Sequence, residues 1–380
     1  LEVISALNYF SIFLALIYVF VVCAFIRGWG KILYFKVTPL IPTTTVSILI
    51  AARNEEQLIA KTIEDLLAQR YDQSLIEIII IDDHSTDQTA EIISSYAKNG
   101  VKLIQLNEEN ALNSYKKKAI QTAIGQATGK LIITTDADCR MGPNWLASIV
   151  NYYEIHRFKM ISSPVAYFKE KSLFEKIQTL EFSYLIGLGA STIGNGNPST
   201  CNGANLAYER EAFFEVGGFK GIDDLASGDD ELLLHKMAAL YEQKIGFLKN
   251  NDAVVYTHAK PTLGEFIQQR KRWASKSTRY KEKSVIILGV SIWLFNLSII
   301  GNILLAIIFP ESLSLRFAVF QLITKIILEF VFLNSITSFF KRKQLLVLLP
   351  IVSVLHILYI VYIGIAGNSG KYKWKGRMVK

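Results

Sequence analysis

The chain has 380 residues, of which 51% are hydrophobic and 19% charged, with a formal net charge of +8 and a positive mean hydropathy. That balance excludes an ordinary soluble protein and a bundle built only of membrane helices, and the length allows two or three domains. The three cysteines (Cys23, Cys139, Cys201) are scattered without a C-x-x-C pair and the five histidines show no ligand spacing, which excludes a disulfide framework and a zinc site and fits a reducing compartment. Residues 3–26 form an almost uncharged apolar run long enough to span a bilayer. No basic region precedes it and no small-residue cleavage site ends it, so we read a retained anchor (1–30) rather than a signal peptide. Arg27, Lys31 and Lys36 follow and place the downstream side in the cytoplasm.

A short linker with Pro39, Pro42 and Thr43-Thr44-Thr45 leads to a predicted buried strand, Val46 to Ala52. It turns at Arg53-Asn54-Glu55-Glu56 into a helical pattern (Leu58, Ile59, Ile63, Leu66, Leu67). A second strand, Ile76 to Ile81, ends at Asp82-Asp83-His84-Ser85-Thr86-Asp87, and a helix with Ala90, Ile92, Ile93 and Tyr96 follows. Val101 to Leu106 reads as a third strand, and Lys116 to Ile124 as a helix. The apolar run Leu131-Ile132-Ile133 then enters Thr134-Thr135-Asp136-Ala137-Asp138. Alternating helices and near-continuous apolar strands predict a parallel sheet covered on both faces. Residues 172–193 predict an amphipathic helix running into a glycine-rich loop (187–203). The soluble portion ends near Ser284, and three apolar spans follow at about 285–309, 316–340 and 345–366. Lys325 and Glu329 share one helical face of the middle span and can pair there. If all three spans cross, Lys341-Arg342-Lys343 lie inside but the basic tail (367–380) lies outside. The polar middle span is therefore the candidate for a re-entrant or interfacial segment.

Four constellations fall at loop ends. Asp136 and Asp138 diverge at the end of a buried strand, where ligands bind in open α/β sheets. As hard oxygen donors they suit Mg²⁺ or Mn²⁺ bridging a diphosphate, while the plainer reading is a capped strand-to-helix turn. Asp82-Asp83 can accept hydrogen bonds from a nucleobase or a ribose. Asp229-Asp230 precede an apolar helix pattern, where one can act as general base and the other as cap. Gln269-Arg270-Lys271-Arg272-Trp273 combines cations for a diphosphate with a flat ring for a sugar. The further cations Lys276, Arg279, Lys281 and Lys283 sit beside apolar spans and point to anionic lipid headgroups, and no motif for nucleic acid accompanies them.

The order of these elements over about residues 46–280 resembles the large family 2 of glycosyltransferases, inverting enzymes of GT-A fold. The resemblance rests on Ala51-Ala52-Arg53-Asn54-Glu55, Asp82 to Asp87, Asp136-Ala137-Asp138 as the D-x-D, Gly217-Gly218-Phe219, Gly228-Asp229-Asp230 and Gln269-x-x-Arg272-Trp273 as the Q-x-x-R-W. The last, with flanking membrane spans, resembles the branch that includes cellulose, hyaluronan and ceramide glucosyl synthases.

That resemblance implies an α/β GT-A domain (46–284) in the cytoplasm at the inner membrane, followed by transmembrane or interfacial helices (285–366). It implies that Ala51, Arg53, Glu55, Asp83, Lys116 and Asp136 bind the nucleotide sugar and that Asp138, with Asp136, holds Mg²⁺ or Mn²⁺. Gln269, Arg272 and Trp273 would face the acceptor and diphosphate. Lys116 follows Tyr115, where the family usually has Gly. Counting on to Leu233 and Lys236 favours Asp230 as the base, with Asp229 the alternative. A sugar would pass from a nucleotide sugar, by family default a UDP-sugar, to a lipid, lipid-linked or growing polysaccharide acceptor. The rival from another class is a non-catalytic, nucleotide-sugar-binding membrane scaffold. A P-loop is excluded because Gly125 to Lys130 lacks its spacing.

Overall fold

The structure, a computed structural model, describes residues 2–38, 43–108, 114–367, 372–374 and 377–379. Pro39 and Pro42 of the linker and Lys371, Lys375, Gly376 and Lys380 of the tail lie outside the described residues. In chain order, α1 (Glu2–Lys31) is followed by β1 (Val46–Ala52), α2 (Ile59–Leu67), β2 (Ile76–Asp82), α3 (Thr89–Ser95), β3 (Val101–Gln105) and α4 (Tyr115–Gln126). Next come β4 (Leu131–Asp136), β5 (Arg140–Met141), α5 (Trp145–His156), β6 (Met160–Ser162), β7 (Val165–Tyr167), α6 (Leu173–Gly194) and β8 (Leu206–Glu209). Then follow α7 (Arg210–Glu215), α8 (Glu231–Leu240), β9 (Ile245–Phe247), β10 (Val255–Thr257) and α9 (Leu263–Ser275). Last are α10 (Lys283–Ile308), α11 (Ser314–Phe339), α12 (Leu349–Ala366) and the antiparallel pair of β11 (Tyr372–Trp374) and β12 (Arg377–Val379).

These elements form two compact units, one of residues 1–30, 171–191 and 260–370, the other of residues 31–170, 192–259 and 371–380. Residues 171–191 and 260–284, expected inside a continuous 46–284 domain, thus join the apolar helices. The reason is shared apolar surface: Leu180 of α6 is buried with Leu333, Leu345, Leu349 and Val352. Phe266 of α9 likewise meets Tyr359 at 5.5 Å between ring centroids.

In the second unit the main sheet runs β3-β2-β1-β4-β8-β6-β9. Strands β1, β2 and β4 carry apolar residues on both faces, and Ile48, Leu49, Ile50, Ile79, Ile80, Ile132 and Ile133 are fully buried, as a sheet covered on both sides requires. β1 to β4 are parallel, as the alternating pattern predicted. β8 departs from that expectation, pairing antiparallel with both β4 and β6, so the sheet is mixed. All four of its residues are buried, and no alternation marks its direction.

At the opposite end of β2 from its acidic pair, Glu77 joins three segments. It accepts hydrogen bonds from Ser47 Oγ at 2.6 Å, Lys102 Nζ at 2.6 Å and the Thr128 amide at 2.9 Å. Burial pushes its carboxyl up, and these hydrogen bonds together outweigh it and hold the group below the usual carboxylate range. Its contribution is therefore present at neutral pH and lost as pH falls through that lowered value. Glu77→Gln is expected to destabilise the protein by about 1–3 kcal/mol at pH 7. Thermal unfolding of the solubilised protein checks this, and the gap to wild type should narrow in acid.

Among the described residues of the first unit, four helices are long and apolar enough to cross a membrane: Glu2–Lys31, Lys283–Ile308, Ser314–Phe339 and Lys343–Ala366. The i, i+4 pair is formed, with Lys325 Nζ 2.5 Å from Glu329 Oε1. Tyr18 and Ser353 also donate to Glu329, at 3.0 and 2.8 Å. α11 is one continuous helix, and its polar Gln321, Lys325 and Glu329 are buried among neighbouring helices. Its polarity therefore has a use inside the bundle and does not require a place at the interface.

Candidate active site

The strand register builds the site. Ala52 of β1 lies opposite Asp82 of β2, and Ala51 lies opposite Asp136 of β4, so three strands end together with β1 in the middle. At the usual spacing between strands, the acidic ends of β2 and β4 are about 10 Å apart, flanking the mouth where the strand order reverses. Arg53 ties the two loops of this mouth together, its Nη1 donating to the carbonyls of Asp83 at 2.6 Å and His84 at 2.8 Å. Asn54 and His84 both take positive φ, 51° and 54°, to make these turns. The Asp83 carboxylate is buried and lies 3.0 Å from His84 Nδ1. Glu55 shapes the loop through its backbone: its amide donates to Thr89 Oγ1 at 2.8 Å, and its carbonyl accepts from Leu58 and Ile59 at 3.0 Å. Asp87, not Asp82 or Asp83, accepts from the Thr89 amide at the start of α3.

Lys116, in the first turn of α4, joins two acidic loops. Its Nζ is 2.8 Å from Asp136 Oδ1 and 3.3 Å from Asp229 Oδ2. Burial alone would lower its pKa, but Asp136, Asp229 and Asp230 together outweigh that and raise it, so the ammonium stays charged. Asp230 accepts from its neighbour's amide, Glu231 N to Oδ1 at 2.7 Å, at the start of α8. Its Oδ2 accepts from the Gly203 amide at 3.0 Å. A Cβ on Gly203 would lie 3.3 Å from Asp230 Cβ, a contact that a small shift must relieve, and 3.4 Å from Asp229 Oδ2, an ordinary contact. Gly203→Ala is expected to lower turnover several-fold with little loss of stability, since a shift of a few tenths of an ångström suffices. Parallel kinetics and melting curves check it. The structure therefore brings Ala51, Arg53, Glu55, Asp83, Lys116, Asp136, Asp138, Asp229 and Asp230 into one unit, at the ends of β1, β2 and β4 and around α4.

Other expectations change. Residues 187–194 continue α6, so the glycine-rich loop is confined to the residues after Gly194. Asn205 is fully buried: its Nδ2 donates to the Pro164 and Ala253 carbonyls at 2.8 Å, and its Oδ1 accepts from Trp145 Nε1 at 3.0 Å. It braces the fold, joining three segments of the chain. Asn202 caps its own turn, accepting from the Ala204 amide at 2.9 Å. Gln269, Arg272 and Trp273 lie on α9, in the unit of the apolar helices. Arg270 is not an open cation for a diphosphate, because it is buried, paired with Glu181, and set 4.2 Å over the Trp273 ring. Sequence reasoning also passed over Lys117 and Gly203. Nothing in the run Lys116-Lys117-Lys118 separates the lysine that meets carboxylates from the one that meets carbonyls.

Asp136, Asp138 and Cys139 present ligand atoms within 4.8 Å of one another. Two carboxylates fit a hard divalent cation such as Mg²⁺ or Mn²⁺, which keeps waters and takes further oxygens from a bound phosphate. Cys139 does not fit. Burial, then the charges of Asp138 and Asp136, push its thiol well up, and sulfur suits softer metals. With Asp136 also engaged by Lys116, the set suits a cation held jointly with a diphosphate more than a site complete in itself.

Residues 47–217 match the model of the family described as Glycosyl transferase family 2. The chain is 28% identical over 240 residues to a poly-beta-1,6-N-acetyl-D-glucosamine synthase of Staphylococcus aureus, covering 60% of this chain and 53% of that protein. It is 30% identical over 175 residues to a beta-monoglucosyldiacylglycerol synthase of Nostoc sp., covering 46% and 37%. The chain thus spans about half the length, or less, of these curated relatives. A solved mannosyltransferase from Pyrobaculum calidifontis, in complex with GDP-Man and Mn²⁺, is similar in fold, with a TM-score of 0.60 at 19% identity over 94% of this chain and 98% of that one. Residues 47–217 are accordingly similar to the family 2 glycosyl transferases, and the fold is GT-A, a mixed α/β sheet, in a chain whose described residues also include four helices long and apolar enough to cross a membrane.

Proposed function

We propose that the chain is an inverting glycosyltransferase that moves a hexose from a UDP-sugar to a lipid or lipid-linked acceptor at the cytoplasmic face of the membrane. The observation that carries this reading is Lys116, which holds Asp136 at the end of β4 and Asp229 beside the start of α8 around one ammonium. Two loops far apart in the chain, which also carry Asp138 and Asp230, thereby meet at one ammonium. In this reading Asp83 accepts from the nucleobase, and Arg53 and Glu55 shape the loops around it. Asp136 contacts the ribose or sugar, and Lys116 faces the diphosphate. Asp138, with Asp136, holds Mg²⁺ or Mn²⁺, and the bound cation would supply neutralisation of charge on the leaving diphosphate.

Asp230 is oriented by two backbone amides and takes the proton of the acceptor hydroxyl as its oxygen attacks the anomeric carbon from the face opposite the diphosphate. One displacement inverts the configuration, and no second carboxylate nucleophile is needed. Gln269, Arg272 and Trp273 enter as acceptor and diphosphate residues on motif order alone, which also supports the branch of membrane synthases named above. Arg272→Ala is then expected to lower transfer at least tenfold, and unchanged transfer would remove it from the reading. The cytoplasmic orientation is supported by Arg27, Lys31 and Lys36 after the first apolar helix.

The deciding assay offers the purified full chain a panel of nucleotide sugars with Mg²⁺ or Mn²⁺ and membrane lipid. Transfer of one sugar per acceptor supports the lipid reading, and a ladder of products supports a growing polysaccharide. Donor binding with no transfer or hydrolysis of any donor supports the scaffold reading instead.

A further inference from the structure

Lys117, beside the bridging lysine, is fully used elsewhere. It is 1% exposed, and its Nζ donates to the carbonyls of Ile222 at 2.5 Å, Leu225 at 2.7 Å and Ser227 at 2.8 Å. An ammonium has three N–H donors and no acceptor, so three carbonyls replace its water shell in one cage. The caged stretch belongs to residues 216–230, which contain no helix or strand and end at Asp229-Asp230. Lys236 holds the earlier part of the same stretch, donating to the carbonyls of Gly218 at 2.5 Å and Lys220 at 3.0 Å. Gly228, at φ 86°, makes the turn between the caged carbonyls and the two carboxylates. α4 itself is fixed, with Ala119, Ile120, Ala123 and Ile124 buried beneath it. The sheet, α4, the Lys117 ammonium and the loop thus form a continuous support ending at Asp229 and Asp230.

We propose that Lys117 is a positioning residue: its caged ammonium sets the 222–227 loop, and through it the reach of Asp230 to the acceptor hydroxyl. This rests on the reading of Asp230 as the proton acceptor. Lys116 and Lys117 then have separate tasks, one toward the donor and the other toward the base.

The test compares wild type, Lys117→Met and Lys117→Ala as full-length protein. Both variants are expected to lose about 10- to 100-fold in kcat, as for a misplaced reacting group. KM for the donor should change less than kcat, because Asp83, Asp136 and Asp138 lie on strand ends that Lys117 does not hold and only Asp229, through Lys116, links the loop to them. Propylammonium, the fragment that Lys117→Ala lacks, should restore part of its turnover and do nothing for Lys117→Met, whose side chain fills the space. Independently of turnover, amide hydrogen exchange over 222–230 should quicken in Lys117→Met while that of 76–83 stays unchanged.

A Lys117→Met enzyme within about twofold of wild-type kcat overturns the proposal. So does a loss shared equally by kcat and donor affinity, or unaltered exchange over 222–230. A Lys117→Met chain that does not fold also counts against it, since the role assigned is local to one loop. If wild type transfers no sugar from any donor, the enzymatic reading fails, and the proposed link to Asp230 fails with it, whatever the exchange data show.

Discussion

Replacing Asp230 by Asn is expected to lower kcat by about 10²- to 10⁴-fold, the range for loss of a general base, while the donor's Kd stays within about threefold. The magnitude separates chemistry from local damage. Asp230 accepts from two amides, those of Glu231 and Gly203, and an Asn can accept from only one of them with its carbonyl oxygen. Losing one such hydrogen bond to a carboxylate is worth about 1.5–3 kcal/mol, roughly a 10- to 150-fold change in rate if all of it reached the transition state. A loss of about a thousandfold or more therefore requires a missing proton acceptor. Asp229→Asn is the necessary comparison. It breaks the 3.3 Å contact with Lys116 and should act mainly on donor KM. A greater loss of kcat at Asp229 than at Asp230 would exchange their roles, and near-wild-type transfer in both would end the case for either.

Chelation is the second large effect. EDTA should abolish turnover, and Mn²⁺ or Mg²⁺ should restore it. Asp138→Ala should lose at least about 100-fold and need more metal for what remains. The geometry explains why Asp138 should matter more than its partner. Asp136 is already matched by the Lys116 ammonium at 2.8 Å, and Cys139 next door is a buried neutral thiol. Equal activity with and without chelator would remove the metal from the reading.

Much of the nucleotide-side architecture is written locally. Near-continuous runs such as Val46 to Ala52 and Leu131 to Thr135 can be buried on both faces only as central strands, and the acidic residues that end them must then sit at the sheet's carboxyl edge. The helix of Lys116 to Ile124 and the apolar spans were legible for the same reason, since period and length are properties of a short window. Direction was not legible in β8, where four buried residues read alike either way. Nor was the end of α6, because Gly187 and Gly189 suggest a loop until neighbouring side chains are known. A Cβ at Gly187 would lie 2.1 Å from Ile336, so the glycine there marks close packing of a helix.

The first four strands, their acidic ends and the family likeness were thus determined by the amino-acid sequence alone, because each depends on residues adjacent in the chain. Tertiary structure alone decided which charges meet across long stretches of the chain. Arg270 finds Glu181, Lys116 finds Asp229, and Lys117 finds the carbonyls before Asp229, at separations of about 90 to 110 residues. A lysine's charge is the same at 116 and 117. Only the direction each side chain takes from its helix, and the loop it then meets, makes one a partner of carboxylates and the other a brace for backbone.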